Sequence, residues 1–125
     1  MVLVDTSVWI RGLAGEARLR EQLDALLAGD EVAGHELVYG ELLIGDRGGH
    51  RAFLDSYNRM HRAEMVPHEE IVTFVHAREL HGRGIGWIDV HLLASAIASR
   101  MRLWTADREL AGLAANLGIA YQPRA

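Results

Sequence analysis

The opening run Val2-Leu3-Val4-Asp5-Thr6-Ser7-Val8-Trp9 constrains this chain more than any other stretch. Its first aliphatic residues, two of them β-branched, read as a short strand buried on both faces, the pattern of a parallel sheet covered by helices. The run stops at an aspartate followed by two small hydroxyl residues. A carboxylate is thereby set at the carboxyl end of a buried strand, the edge on which open α/β sheets bind ligands. The competing role for Asp5 is to cap the following helix, as Asp, Ser and Thr all do.

Beyond this strand, helical and extended patterns alternate. A first helical run ends near Leu13-Ala14-Gly15. A second spans about Glu16 to Ala28, with Leu19, Leu23, Leu26 and Leu27 on one stripe and Gly29 as its stop. Glu31 to Gly34 reads as a second strand, His35 to Gly45 as a helix with Glu41 in its interior, and His50 to Met60 as another helix. Glu64-Met65-Val66 resembles a strand closed by Pro67. His68 to His81 follows as a helix with Ile71, Val72, Val75 and Leu80 inward. Trp87 to Arg100 is apolar almost all round, as a central buried helix is. Arg102 to Thr105 is a strand, Asp107 caps a helix whose inward face is Leu110, Leu113, Ala114 and Leu117, and Ile119-Ala120-Tyr121 is a last edge strand. The pattern predicts an α/β fold with a parallel sheet covered on both faces, as a single domain over residues 1–125.

Composition narrows the chemistry. With no cysteine, disulfides and thiolate metal sites are excluded. All 13 basic residues are arginine and the net charge is −4, which argues against a general nucleic-acid binder; any polyanion must be held locally. The absence of lysine removes a phosphate loop at Gly82-Arg83-Gly84-Ile85-Gly86, which is expected to be a flexible connection beside the site. The nearly apolar stretch from Trp87 to Ala98 is broken by Asp89 and His91 and falls short of the about 20 residues of a membrane span. No basic leader with a small-residue cleavage site is visible. A cytoplasmic protein without a membrane partner is expected.

Of the 17 acidic residues, only Asp5, Glu41, Asp89 and Asp107 occupy apolar surroundings where a charge is costly. Asp5 and Asp107 each follow a predicted strand, Asp89 opens the buried helix, and Glu41 lies between Tyr39-Gly40 and Leu42-Leu43-Ile44. Singly, Asp89 and Asp107 read as helix caps, and Glu41 as a solvent-facing residue or a partner of Arg47. Jointly, carboxylates on one sheet edge repel one another unless a cation lies between them. Oxygen donors without cysteine or a fixed histidine pair favour Mg²⁺ or Mn²⁺ over zinc.

These residues carry a resemblance. The chain resembles PIN-domain ribonucleases, specifically the VapC-type toxins of toxin-antitoxin pairs. Val2-Leu3-Val4-Asp5-Thr6-Ser7-Val8-Trp9-Ile10 is similar to that family's first motif, Glu41-Leu42 to its central Glu-Leu, Asp89-Val90-His91-Leu92-Leu93-Ala94-Ser95-Ala96 to its helix-borne Asp, and Thr105-Ala106-Asp107 to its Thr-x-Asp. The ordered set covers nearly the whole chain. His91, bulkier than the family's small residue, and the motif-free segment from Gly45 to Met60 depart from the pattern. The resemblance implies a three-layer PIN-like fold, with four to five short parallel strands in the order 3-2-1-4-5. It implies an Mg²⁺-dependent endoribonuclease, with Mn²⁺ able to substitute, that leaves 5′-phosphate and 3′-hydroxyl ends. Asp5, Glu41, Asp89 and Asp107 would be its catalytic metal ligands or their close partners, with Thr6 and Thr105 orienting the carboxylates and Thr6 and Ser7 forming the turn that aims Asp5. It also implies RNA as substrate, a cognate antitoxin that inserts a basic side chain among the acids, and a homodimer.

Other readings are a PIN-domain RNA-processing nuclease without an antitoxin, a catalytically silent partner-binding module, and a phosphoacceptor domain, the last disfavoured because such domains use a lysine. Arg47, Arg51, Arg59 and Arg62 could steer RNA phosphates, although a solvated arginine face is the commoner arrangement. For Trp9 and Trp87, core packing is favoured over stacking on bases or meeting a partner helix. The seven histidines show no metal-pair spacing and receive no role.

Overall fold

A computed structural model describes residues 1–123. Strand β1 (Val2–Val4) lies between β2 (Val32–Ala33) and β3 (Arg102–Trp104), parallel to both. Parallel neighbours require crossovers, and the helices supply them. Between β1 and β2 run α1 (Thr6–Leu13) and α2 (Ala17–Ala28). Between β2 and β3 run α3 (Glu36–Gly45), α4 (Arg51–Asn58), α5 (His68–Arg78) and α6 (Trp87–Ser99), and α7 (Arg108–Asn116) follows β3.

The expected order 3-2-1-4-5 holds with its two outer members reduced to single bridges. Gly34 pairs with Arg62 beyond β2, and Leu103 pairs with Ala120 beyond β3, both parallel. On the β2 side the pairing falls at Arg62, earlier than the predicted strand Glu64-Met65-Val66. Gly34 N donates to His61 O at 2.7 Å and Ala63 N to Gly34 O at 2.8 Å, after which Glu64 N turns to the Ser99 hydroxyl at 2.8 Å and the ladder ends.

The core forms because β1 is buried on both faces: Leu3 and Val4 are fully enclosed, as are Val8 and Trp9 in the first turns of α1. Each such side chain contributes roughly 1.5–3 kcal/mol relative to exposure. Leu23 and Leu26 bring the α2 stripe inward, Ile71 and Leu80 anchor the α5 region, and Leu110, Leu113 and Ala114 anchor α7, whereas Leu27 and Val72 face out. Helix α6 buries Val90 through Ala96 without a break, as its all-round apolar sequence requires. It ends at Arg100 in the left-handed region (φ +56°), where Met101 N closes back on Ala96 O at 2.8 Å, a stop that no glycine announces. Among the described residues no helix is long and apolar enough to cross a membrane.

Candidate active site at the carboxyl edge of the sheet

The β1–β3 register, Leu3 beside Leu103 and Val4 beside Trp104, delivers Asp5 and Thr105 to the same edge as neighbours. Asp5 N donates to Trp104 O at 2.9 Å, which pins the backbone there. Asp5 occupies the N-cap position of α1, yet its side chain accepts nothing from the helix amides. Instead Oδ2 accepts from the Ser7 hydroxyl and from the Thr105 hydroxyl, each at 2.7 Å, and the residue is only 5% exposed. The carboxylate is therefore aimed by hydroxyls and does not cap. Each hydroxyl has one proton and gives it to Asp5, so the 3.3 Å approach of Ser7 Oγ to Thr105 Oγ1 is a contact between two acceptors. Both oxygens then accept from backbone on the β3–α7 turn: Ser7 Oγ from Ala106 N and Thr105 Oγ1 from Asp107 N, each at 3.0 Å.

Glu41 projects from the middle of α3, and its Oε1 accepts from the Thr6 hydroxyl at 2.6 Å. Its partner is thus neither bulk solvent alone nor Arg47. Thr6 and Thr105 both hold carboxylates, Thr6 serving Glu41 and Thr105 serving Asp5. Asp89, in the first turn of α6, accepts from Gly86 N at 3.1 Å, and Asp107 at the N-cap of α7 accepts from Leu110 N at 3.0 Å. For these two the capping role is real.

The acids feel one another. Partial burial raises the Asp89 carboxyl above its ordinary value, the Gly86 amide opposes this, and the charges of Asp5, Asp107 and Glu41 raise it further. All four therefore share one electrostatic neighbourhood. Each is nevertheless tied to its own partner, and among the described residues no group of three acidic or histidine side chains is gathered tightly enough to hold an ion. In chemistry the donor set fits a hard divalent cation, because every donor is oxygen and the repulsion raising Asp89 is relieved by positive charge.

Ser7 aims Asp5 as expected and also ties it to the β3–α7 turn, whereas Thr6, expected to aim Asp5 with it, serves Glu41 instead. Two features escaped the sequence reading. His35, given no role, is fully buried: its Nδ1 accepts from Leu37 N at 3.0 Å, capping α3, and its Nε2 meets the Ser95 hydroxyl at 2.9 Å. Trp87 is not a core residue. Trp9 is, packed on Phe53 and Tyr57 at 5.3 and 5.5 Å between ring centroids, but Trp87 stands at the solvent-facing start of α6. Of the arginines proposed to steer phosphates, Arg62 is engaged with Glu36 at 3.6 Å and with Asn58, while Arg47, Arg51 and Arg59 are exposed. Beside Glu41 lies an apolar groove of about 260 Å³ lined by Ile10, Leu13, Leu42, Phe53 and Leu54.

The family described as "PIN domain" matches residues 2–116. Ribonuclease VapC32 of Mycobacterium tuberculosis, in strains CDC 1551 and H37Rv, is 42% identical over 122 residues, covering 96% of this chain and 95% of the relative. Among solved structures, FitAcB from Neisseria gonorrhoeae superposes with a TM-score of 0.67 at 22% identity, over 96% of this chain and 95% of that one. PAE2754 from Pyrobaculum aerophilum gives 0.55 at 20% identity, over 94% and 88%. At those identities the structural likeness establishes the fold.

Proposed function

This chain belongs to the PIN-domain family, among its VapC-type ribonucleases, and on that premise we propose that it acts as an endoribonuclease toxin whose chemistry runs at Asp5, Glu41, Asp89 and Asp107. The observation that supports the assignment of these residues is a buried Asp5 held at the sheet edge by two hydroxyls, with Asp89 within the electrostatic reach of Asp5, Asp107 and Glu41. Asp5 and Asp89 would be the residues that chiefly hold a divalent cation, Mg²⁺ with Mn²⁺ as substitute, with Glu41 and Asp107 as their partners. Such a cation would supply an activated water for attack on the phosphodiester and positive charge to offset that on the leaving oxygen. Ser7 and Thr105 hold Asp5 in one orientation, and Thr6 does the same for Glu41, so that the acids lose little freedom on loading. Asp89 and Asp107 must share or release their backbone amides to join them.

An antitoxin is the natural regulator. The groove beside Glu41, with exposed Ile10 at its rim, suits an apolar segment whose basic side chain reaches the acids. A homodimer through the exposed Met65 and Ile97, which border a second groove with Val66 and Phe74, completes the assembly. A cytoplasmic location, where the RNA substrate and the antitoxin are made, goes with this reading.

Labelled RNA incubated with the protein, with Mn²⁺ or with EDTA, tests this reading beside Asp5→Asn. Cleavage is expected only with the metal and the native aspartate. Metal-independent cleavage, or full activity in the variant, refutes the mechanism.

A further inference from the structure

At the amino edge of the sheet, three arginines line one open groove of about 330 Å³. Arg78 lies in the last turn of α5, Arg100 caps the end of α6 and Arg102 opens β3. The groove has an apolar floor of Ile97, Leu117 and Ile119. Among the described residues no acidic side chain lines it, and none of the three guanidiniums is in an ion pair. Arg102 is held in place, its Nη1 donating to Ala120 O at 3.2 Å. Arg100 stands in the left-handed region (φ +56°), in a helix stop that glycine makes without strain. Asp89 and Arg100 sit at opposite ends of α6, roughly 16 Å apart at the rise of an α-helix, so the groove is separate from the acidic site.

Three positive charges drawn together in a protein of net charge −4 call for a counter-charge. The carboxyl ends of α5 and α6, each equivalent to about half a negative charge, offset roughly one of them. About two remain. A phosphate monoester carries about −1.5 to −2 at neutral pH in one compact group, whereas a carboxylate or an internal phosphodiester carries a single charge. Guanidinium forks also match phosphate oxygens in geometry. The volume falls within the range of small-ligand sites, about 300–1,000 Å³, and the apolar floor suits a sugar and base. We propose that this groove binds the terminal phosphate of a nucleotide, either a free 5′-mononucleotide or the 5′-phosphorylated end of an RNA strand. Because the groove lies apart from the acids, the inference does not rest on the nuclease reading above.

Binding to the full chain in EDTA, where metal-dependent cleavage is off, tests the site. Calorimetry compares AMP with adenosine, and fluorescence anisotropy compares 3′-labelled single-stranded RNA carrying a 5′-phosphate with the same RNA carrying a 5′-hydroxyl. AMP that binds where adenosine does not, with no preference between the RNA ends, assigns the groove to a free nucleotide. RNA held about tenfold tighter or more through its 5′-phosphate assigns it to a strand end. In either case Arg78→Gln combined with Arg100→Gly is expected to abolish the preference. Glycine suits the backbone at position 100, so the variant should keep its melting temperature; if it does not fold, Arg78→Gln alone decides. No preference for phosphate in either arm, or one that survives both substitutions, overturns the site. Sedimentation in which the substitutions alter only self-association overturns it too: Ile97 also borders the groove assigned to the homodimer, and the arginines would then meet a second copy of the chain. None of these failures touches the nuclease reading, which is tested by cleavage with metal.

Discussion

The Thr105 hydroxyl donates to Asp5 Oδ2 at 2.7 Å, joining residues 100 positions apart across the paired ends of β1 and β3. Thr105→Val keeps the shape and removes both this donor and the acceptor used by Asp107 N. Groups that orient metal-binding carboxylates typically govern 10–100-fold in metal affinity or activity, and a loss of about that size is expected, read as cleavage rate against Mn²⁺ concentration. Thr105→Ser should restore it. Equal curves for Thr105→Val and wild type would show that Ser7 alone suffices to aim Asp5.

Asp89 carries the cost of the shared field. Its carboxyl lies above the ordinary 3.8 in the folded chain, so ionising it costs more folded than unfolded. Its favourable contribution is complete below that ordinary value and disappears as pH rises through the folded one. Asp89→Asn, whose amide oxygen still accepts from Gly86 N, should therefore raise the melting temperature of metal-free protein at neutral pH, with no gain below about pH 3.8. Mg²⁺ or Mn²⁺ should raise the wild-type melting temperature and move the variant less. A thermal scan in which metal shifts both proteins equally would remove Asp89 from the binding set.

The sheet edge was legible in the sequence for a simple reason. A strand buried on both faces tolerates no polar residue, so Asp5 after Val4 stands out against its run, and Asp107 stands out just past the predicted strand Arg102 to Thr105. The helices were legible from periodicity and stops, within a residue or two for α2 and α6. Of the two single-bridge edges, the one at Ala120 was legible as the edge strand Ile119-Ala120-Tyr121, while the one at Arg62 was not, because one pair of hydrogen bonds there leaves no alternating pattern and the more β-like Glu64-Met65-Val66 lies just beyond it. Trp87 was misread because an indole in an apolar run looks the same whether it faces the core or the rim. Its position at the first turn of α6, before the helix dives beneath the surface, decides the matter. The role of His35 depends on Ser95, 60 positions away, and no local spacing encodes that contact.

Tyr57 ties the core to the start of α3. Its hydroxyl accepts from His35 N at 2.9 Å inside the protein, and burial pushes the phenol above its usual range, so it stays neutral. Tyr57→Phe preserves the edge-on packing against Trp9 but leaves a buried backbone N–H without its partner. Such an orphan costs about 1–3 kcal/mol, which denaturant unfolding of the two proteins would resolve. A difference below about 0.5 kcal/mol would mean that water takes the place of the hydroxyl.

His35 makes the fold sensitive to mild acid. Its Nδ1 accepts from Leu37 N, which leaves the ring's single proton on Nε2 to be given to the Ser95 hydroxyl; a second proton would destroy the cap. Burial first, and the neighbouring His91 second, lower its pKa from 6.5 to about 4. A folded value below the unfolded one means that the stabilisation is complete above pH 6.5 and is lost as pH falls toward about 4, a change on the order of 3 kcal/mol for a shift of this size. His91, lowered by burial and by His68, adds to the loss in the same direction. His35→Asn retains a side chain able to cap α3 but does not titrate, so its urea midpoint should vary less with pH across this window than that of the wild type. Parallel midpoint curves for the two proteins would assign the acid sensitivity elsewhere. Because α3 carries Glu41, the wild type should also lose cleavage activity over the upper part of the same window, before the chain as a whole unfolds, and His35→Asn should lose less.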